Sequence, residues 1–333
     1  MPLLRSRLLL SVAAVTSLSL GLTACGSDSG SGTTAAKGTV VVGAVSNGAA
    51  KETSVKVSEV ASLRAELPKS VLDSGELTIG LGFLPTGSTP LGYIGSDQKT
   101  LTGSEPDLGR LIAAVFGLKP ALENATWDNL FVGIDSGKTD VGFSNITDTE
   151  QRKEKYDFAS YRKDNLAFAV LKDSSWNFTG DYEQLAGKTV AVDSGTNQEK
   201  ILLEWQTKLK AEGKSLDIKR YQSGSSTYLA LDSGKIDAYF SPNPSVAYHV
   251  TATAGTPEAT RSAGSYSGAG AGLQGLICAT TKKDSGLVKP LEDAINYLIK
   301  NGQYAQWLAA WNLSNEALPT SQTNPPGLPL TNS

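Results

Sequence analysis

Two Thr-x-x-Glu segments could each provide a site for an anionic group. Thr147 with Glu150, and Thr196 with Glu199, have the spacing of a capping box, which marks the start of a helix. The unpaired N–H groups and the partial positive charge at a helix N-terminus favour an anion. Each segment also follows a predicted strand, and open α/β sheets bind ligands beyond the carboxyl ends of their strands. Each box taken alone shows only that a helix begins.

Arg152, about one turn beyond the first capping box, could hold a carboxylate. A guanidinium grips a carboxylate through two parallel hydrogen bonds, and Asn145 and Thr147 lie near it in the sequence. The pattern is also consistent with a surface arginine beside the charged residues 153 and 154. Trp127 is either a core residue or an exposed platform on which a ligand stacks.

The composition excludes several other kinds of site. The chain has 333 residues and a formal net charge of −3, which lacks the basic footprint of a nucleic-acid-binding protein. It has a single histidine, His249, which we expect to be structural, so neither a histidine relay nor a histidine-based metal site is predicted. Of its two cysteines, Cys278 lies in an apolar run and is predicted to be a small buried side chain. We expect no metal and no cofactor.

The elements that must position these residues follow an α/β pattern. Residues 77–81 predict a strand, residues 104–116 predict a helix, and a short helix is expected near residues 57–71. Short apolar runs and helical stretches then alternate along the chain, which is typical of an α/β fold. The length suits one large domain or two ordinary ones.

One ten-residue segment occurs twice. Residues 135–144 (DSGKTDVGFS) recur as residues 232–241 (DSGKIDAYFS), with seven identical positions at a separation of 97 residues. Each copy follows a helix-like stretch, the Ser-Gly pair ends that helix, and the apolar run after the second aspartate predicts a strand. Two similar α/β lobes are the simplest explanation, and chance similarity of a helix-ending pattern is the alternative.

The N-terminus has the pattern of a secretory signal. Two arginines precede an apolar run over residues 8–22, too short to span a membrane comfortably. It leads into Leu-Thr-Ala and Cys25, which resembles the bacterial lipobox and implies cleavage before Cys25 and its lipidation. An ordinary signal peptide with a chance cysteine is the alternative. We predict a lipoprotein signal peptide over residues 1–24 and a flexible tether over residues 25–57.

An ordered series of short motifs runs through the body of the chain. The motifs are GSEPDL at 103–108, WDNL at 127–130, IDSGK at 134–138, TEQR at 149–152, YDFA at 156–159, GTNQ at 195–198, SGKIDA at 233–238 and NGQYAQW at 301–307. Together they resemble the family 3 extracellular solute-binding proteins, the amino-acid-type receptors of bacterial ABC importers. The resemblance covers roughly residues 77–313, and no single motif decides it.

The resemblance implies a two-lobed periplasmic-binding-protein-like α/β fold, whose lobes close over a ligand like a flytrap. We place lobe 1 at residues 58–165 plus 272–320, lobe 2 at 166–271 and a tail at 321–333. Two hinge crossings are expected, near residues 165–171 and 268–276.

The resemblance also implies how the protein works. It would be an extracytoplasmic monomer, held to the outer face of the bacterial cell membrane by its lipid alone. It would deliver a small carboxylate-bearing solute, an amino acid or a derivative, to an ABC permease with its ATPase.

The same resemblance implies roles for particular residues. Arg152 would hold the carboxylate of the ligand with the help of Asn145 and Thr147, and the ring of Trp127 would pack on the ligand. From lobe 2, the residues in contact would be Thr196, Asn197 and Gln198.

The chain departs from the family pattern where an α-ammonium would be bound. The family usually has an aspartate at the position of Pro242, which carries no charge and no N–H. Asn243, Asp193 or Tyr239 could replace it, or the ligand could lack a primary ammonium.

Two further departures lie near the start of lobe 1. The aromatic residue that precedes the family's early Pro-Phe is missing, and Phe83 and Tyr93 are candidate replacements. The acidic residue that receptors for basic amino acids use near Gly82 is absent, so we expect a lysine-type or arginine-type ligand less.

Two other functions fit the same fold. One is an enzyme resembling cyclohexadienyl dehydratase, which turnover of a bound ligand would reveal. The other is a lipoprotein that presents its ligand to a sensor, which would capture a kinase rather than a permease.

Overall fold

The computed structural model describes residues 38–221 and 223–331. The predicted signal peptide, Cys25 and the first part of the predicted tether lie outside these ranges.

The described chain alternates strands and helices as the sequence predicts. The strands are β1 (Thr39–Val42), β2 (Thr53–Lys56), β3 (Glu76–Leu81), β4 (Tyr93–Ile94), β5 (Leu101–Thr102), β6 (Lys119–Asn124), β7 (Val141–Gly142), β8 (Tyr156–Leu171), β9 (Thr189–Val192), β10 (Asp217–Arg220), β11 (Ala238–Pro242), β12 (Thr260–Ser267) and β13 (Gly275–Lys282).

The helices cover the faces of the sheet. They are α1 (Ala61–Arg64), α2 (Lys69–Ser74), α3 (Ser104–Val115), α4 (Trp127–Ser136), α5 (Asn197–Ala211), α6 (Gly224–Asp232), α7 (Asn243–Thr253), α8 (Val288–Lys300) and α9 (Gln303–Ala310), with 3₁₀ turns at Arg152–Glu154, Tyr182–Leu185 and Ser314–Glu316. None of these helices is long and apolar enough to cross a membrane.

The long strand β8 belongs to both halves of a curled sheet. The strand order is β10-β9-β11-β8-β13-β7-β3-β6, and β12 also pairs with β8. Residues 156–164 of β8 pair with β13, whereas residues 165–171 pair with β12, and within them residues 166–169 also pair with β11. We call the half built on β3, β6, β7 and β13 lobe 1, and the half built on β9–β12 lobe 2. This is the expected two-lobed fold, whereas our residue boundaries for its lobes remain predictions.

Each lobe has its own hydrophobic core. In lobe 1, side chains of β3 pack with Phe116 and Trp307, all of them buried. In lobe 2, Phe168 and Phe240 stack at 4.2 Å between ring centroids and pack with Trp205. Two separate cores are what two lobes that move relative to each other require.

The repeated segment has the same structure in both lobes. α4 and α6 each end before a glycine with positive φ, Gly137 at 75° and Gly234 at 70°, and a strand follows. The second aspartate of each copy accepts a hydrogen bond from a strand N–H: Asp140 from Thr78 at 2.8 Å, and Asp237 from Thr189 at 2.7 Å. The repeat therefore marks equivalent units, as predicted.

The prediction of a flexible tether up to residue 57 is wrong for residues 38–57. β1 and β2 pair as an antiparallel hairpin, with Val42 and Val55 fully buried in the lobe 1 core. The N–H of Gly43 donates to Asp107 at 2.7 Å, and the N–H of Lys51 donates to the Ala310 carbonyl at 2.9 Å. Asp107 and Ala310 lie far from the hairpin in the sequence, so no local sequence pattern predicts these contacts. The helix expected near residues 57–71 is instead two short helices, α1 and α2.

The segment 321–331, which we predict as a tail, packs along the protein and contacts both lobes. The N–H of Ser160 donates to the Gln322 carbonyl at 3.0 Å, so the segment begins against the lobe 1 half of β8. Leu328 is fully buried in the lobe 2 core, and Lys200 Nζ donates to the Pro329 carbonyl at 3.0 Å. This C-terminal segment therefore spans the junction between the lobes.

Candidate functional site

A cleft of about 1230 Å³ lies between the two lobes. Lobe 1 contributes Phe83, Trp127 and Asn145 to its wall, and lobe 2 contributes the loop after β9 and the start of α5. These positions follow the carboxyl ends of strands, where open α/β sheets bind their ligands. The cleft is therefore the candidate ligand site.

Asn145 enters the cleft from a left-handed turn held by buried charges. It has a φ of 52°, which residues other than glycine seldom adopt. Its N–H donates to Glu105 Oε2 at 2.8 Å, and its side-chain oxygen accepts from Arg162. Arg162 in turn pairs with Glu105 at 3.1 Å and with Glu316, and all three of these charged side chains are at most 1% exposed. This cluster fixes Asn145 at the wall of the cleft.

The lobe 2 wall begins at a capped helix. Thr196 Oγ1 accepts from the N–H of Glu199 at 3.2 Å, and Glu199 Oε2 accepts from the N–H of Gly195 at 2.6 Å. The helix cap predicted at Thr196 is therefore confirmed, although Glu199 bonds to the N–H of Gly195 rather than to the N–H of Thr196 itself. Asn197 and Gln198, in the first turn of α5, are buried and line the cleft.

Two hydrogen-bond donors of lobe 1 meet at the carbonyl of Gly195 in lobe 2. Trp127 Nε1 and an Arg152 guanidinium N–H each donate to this oxygen at 3.2 Å. The guanidinium lies 5.4 Å from the ring centroids of both Trp127 and Phe131, and it also donates to the Thr147 carbonyl at 2.9 Å. Burial lowers the pKa of Arg152 to about 10, against the opposing effect of Asp164, so the arginine stays charged at neutral pH. Lobe 1 thus places a cation and an indole against the loop that precedes α5.

Known proteins share this architecture. The family model of the bacterial extracellular solute-binding proteins, family 3, matches residues 82–314. This chain belongs to that family. Its members are extracellular, and the hairpin and the C-terminal segment described above lie outside the matched range.

Curated relatives and solved structures agree with the family. The L-cystine-binding protein TcyJ of Escherichia coli strain K12 is 29% identical over 246 residues, 74% of this chain and 85% of that protein. The arginine-binding protein ArgT of Corynebacterium glutamicum is 26% identical over 267 residues, 80% of this chain and 83% of that protein. The structure of an ancestral arginine-binding protein bound to arginine has the same fold, with a TM-score of 0.61 at 24% identity, covering 71% of this chain and 98% of that one.

The family 3 cleft brings together most of the residues that we predict to bind the ligand. Those in its wall are Phe83, Trp127, Asn145, Asp193, Thr196, Asn197 and Gln198. Arg152, Thr147 and Asn243 are not in the wall. Arg152 lies behind Trp127, and Pro242 rather than Asn243 lines the cleft.

The capping box predicted at Thr147 is wrong. Thr147 Oγ1 donates to the buried Asp164 at 2.7 Å, whereas Thr149 Oγ1 accepts from the N–H of Arg152 at 3.0 Å. Only a 3₁₀ turn over residues 152–154 follows, so this segment offers no helix N-terminus. The Thr147 hydroxyl bonds to Asp164, 17 residues further along the sequence, instead of capping a helix next to it.

Asp164 connects lobe 1, lobe 2 and the hinge. It accepts from Thr147 in lobe 1 and from Asn197 Nδ2 in lobe 2 at 3.1 Å. Its carbonyl accepts from the N–H of Gly268, just after β12, at 3.1 Å. Burial raises the pKa of Asp164 to about 6, while the hydrogen bond from Thr147 and the charge of Arg162 oppose that rise. Asp164 therefore joins both lobes and the hinge through hydrogen bonds.

Sequence reasoning missed several residues of the lobe 2 wall. Tyr228 and Asp232 lie four residues apart on α6 and both line the cleft, as does His249 of α7, whose ring stacks on Tyr228. Their i, i+4 spacing shows that they share a helix face, but nothing local indicates that this face meets a cleft. Within the described ranges, no group of three or more histidine, cysteine, aspartate or glutamate side chains could hold a metal ion.

Cys278 is fully buried, as predicted. It packs in a small lobe 1 cluster with Ile146 and Phe158, and burial raises its pKa well above the ordinary value. A buried, protonated thiol is inert, which fits a packing role.

Proposed function

We propose that this protein captures an amino acid or a derivative in the cleft between its lobes and delivers it to an ABC importer. The observation that carries the proposal is the meeting of Arg152, Trp127 and the loop before α5 at the Gly195 carbonyl. This is a place where a cation, an aromatic ring and a capped helix N-terminus converge from two lobes. The curated relatives named for cystine and arginine binding support the same solute class.

We infer that the carboxylate of the solute binds between Arg152 and the N-terminus of α5. Two N–H groups of the guanidinium donate to carbonyls, and a solute carboxylate would replace the weaker of these acceptors, Gly195. An ionised acceptor forms stronger hydrogen bonds than a carbonyl does. Asn145 would add a contact from lobe 1. Thr147 would act indirectly, through the hydrogen bond that its hydroxyl donates to Asp164. Thr196, Asn197 and Gln198 would contact the solute from lobe 2.

We assign the remaining wall residues to the rest of the solute. Phe83 and Trp127 offer aromatic surface against its apolar part. Asp193 and Tyr239 provide polar groups for an ammonium, which Pro242 cannot bind. Asn243 is the less favoured candidate because it does not line the cleft.

We propose that closure of the lobes on the solute is the signal that the importer reads. A solute shifts the lobes toward closure only if it binds the closed state more tightly. The protein would act as a monomer without a cofactor and without catalysis, held to the outer face of the membrane by lipid on Cys25. The two relatives named above are both binding proteins, which supports the absence of catalysis.

A calorimetric screen of amino acids against the full chain in mild detergent tests the proposal. We expect one solute class to bind, and Arg152→Ala to weaken its binding by about 2–5 kcal/mol because one side of a desolvated charge pair is lost. Arg261→Ala is the matched control, since that guanidinium also donates to main-chain carbonyls, of Ser174 and Trp176, but not in the cleft. Equal binding by the wild type and Arg152→Ala, with both folded, would contradict the role of Arg152.

A further inference from the structure

The loop of the N-terminal hairpin is fixed to the β4–β5 hairpin of lobe 1. Three consecutive carbonyls of this loop accept hydrogen bonds from that hairpin: Ala44 from Thr102 Oγ1 at 2.8 Å, Val45 from the Ser96 N–H at 2.9 Å, and Ser46 from the Tyr93 hydroxyl at 2.7 Å. A Cβ at Gly95 would lie only 2.6 Å from Val45 Cγ2, so the two segments are in close contact. A segment outside the family match therefore holds an element inside it.

Tyr93 of the β4–β5 hairpin meets lobe 2. Its ring packs edge-on against Trp311 at 6.5 Å between centroids, and its hydroxyl is bound to Ser46. Burial raises the pKa of that hydroxyl well above the ordinary value, and Tyr248 of α7 adds to the rise, so the two tyrosines interact. Tyr248 itself packs against the lobe 1 core, although α7 packs on the strands of lobe 2. A side chain of lobe 2 thus contacts a surface of lobe 1 that the hairpin loop holds in position.

A second pair of residues joins the lobes at the same helix. Ser88, in the segment that leads into β4, and Ser245 of α7 have their hydroxyl oxygens 2.9 Å apart. Ser245 and Tyr248 are three residues apart, so they share one face of α7. We call the contact of Ser88 and Tyr93 with Ser245 and Tyr248 the α7 contact. It involves other elements than the contact at Gly195, where α4 meets the loop before α5, so the lobes meet at two separate places.

We propose that the N-terminal hairpin is a positioning element for closure of the lobes: its loop holds Tyr93 in the place where α7 packs in the closed state. This inference rests on the proposed closure of the cleft and adds a segment that controls it. A ring that is free to move must be ordered each time the lobes close, which costs conformational entropy. The bond from the Tyr93 hydroxyl to the Ser46 carbonyl orders the ring beforehand, so closure loses less of this entropy.

A disulfide between Ser88→Cys and Ser245→Cys measures how often the α7 contact forms. The two hydroxyl oxygens are 2.9 Å apart, so the sulfurs that replace them can reach bonding distance when the lobes are closed. The full chain in mild detergent is oxidised with oxidised glutathione, and the rate of cross-linking is followed by the mass of the peptide that joins residues 88 and 245. Cys278 is fully buried and does not compete for the oxidant.

Two substitutions in this cysteine-pair protein loosen the hold of the loop. Tyr93→Phe keeps the ring and removes its bond to the Ser46 carbonyl, and we expect cross-linking to slow by about three- to tenfold, the size of one neutral hydrogen bond. Ser46→Ala removes the side-chain bonds that close the loop at Ala50, and it should also slow cross-linking. Tyr304→Phe is the matched control, since that hydroxyl donates to the Tyr161 carbonyl inside the lobe 1 core; it should lower Tm and leave the cross-linking rate unchanged.

Each outcome decides for or against the positioning role. Folded Tyr93→Phe and Ser46→Ala that cross-link at the rate of the parent pair would refute it. Equal slowing by Tyr304→Phe would do the same, because lost stability would then explain the effect. A pair that never cross-links, in any background, would show that the α7 contact does not form in solution and would refute the inference too. The assay contains no solute, so none of these results bears on amino-acid capture, which the calorimetric screen tests separately.

Discussion

Replacing Glu316 by glutamine should destabilise the protein through the buried cluster behind Asn145. Glu316 and Glu105 both pair with Arg162, and none of the three side chains is more than 1% exposed. The substitution keeps the shape of the side chain and removes one negative charge. Arg162 keeps Glu105 as its partner, so the guanidinium is not left alone.

The expected magnitude follows from what each substitution leaves unpaired. Glu316→Gln replaces a hydrogen bond between charged groups, a loss of about 1.5–3 kcal/mol. Arg162→Met leaves two buried carboxylates without a cation, and breaking a buried pair in this way costs about 3–5 kcal/mol. In a domain of this size, about 1 kcal/mol corresponds to roughly 2 °C in Tm. We therefore expect Tm to fall by about 3–6 °C for Glu316→Gln and by about 6–10 °C for Arg162→Met.

Thermal and urea unfolding of the two variants measure these losses. Asp73→Asn is the control, because it removes a carboxylate from the exposed pair with Lys69, and exposed pairs contribute at most about 1 kcal/mol. A Glu316→Gln variant as stable as Asp73→Asn would show that the buried cluster contributes little to stability. An Arg162→Met variant that loses no more stability than Glu316→Gln would show that the two carboxylates do not need their cation.

Three other predictions concern the cap, the C-terminal segment and pH. Thr196→Ala should lower the free energy of unfolding by about 1 kcal/mol through loss of the α5 cap, and an unchanged urea midpoint would show that the cap is unimportant. Leu328→Ala should cost about 2–5 kcal/mol because that side chain is fully buried, whereas Leu330→Ala, 60% exposed, should cost almost nothing; equal losses would contradict this packing. Burial raises the pKa of Asp148 from 3.8 to about 7, so the folded state binds the extra proton between these values. This group's contribution to stability should therefore decrease as pH rises from about 4 to 7. The free energy of unfolding, measured across that pH range, should depend less steeply on pH in Asp148→Asn than in the wild type. An equal slope in the two proteins would contradict the raised pKa of Asp148.

Features with local causes could be predicted from the sequence. The repeat at 135–144 and 232–241 predicts equivalent units because glycines after the two helices and an aspartate at the next strand act within a few residues of each other. The helix predicted at 104–116 begins at Ser104 with acidic residues in its first turn and ends before Gly117, whose φ is 63°. The cap at Thr196 likewise involves only its own turn.

Features with distant causes could not be predicted. The hairpin of residues 38–57 has only four residues in each strand and depends on Asp107 and Ala310. The position of Asn145 depends on Arg162 and Glu105, whose partner Glu316 is 154 residues from Arg162. The motif around Arg152 indicated a ligand contact, yet it could not show that carbonyls already accept from the guanidinium and that the indole of Trp127 lies over it.

The C-terminal segment restricts how the two lobes can separate. The chain passes between the lobes at β8 and again between β12 and β13, and the end of the chain adds a third tie through Leu328. Rotation about an axis close to this tie leaves it intact, whereas rotation about a remote axis must pull Leu328 out of its core. If the lobes open as proposed, a pivot close to Leu328 keeps this tie intact, and the reach of residues 322–329 sets how far the lobes can part.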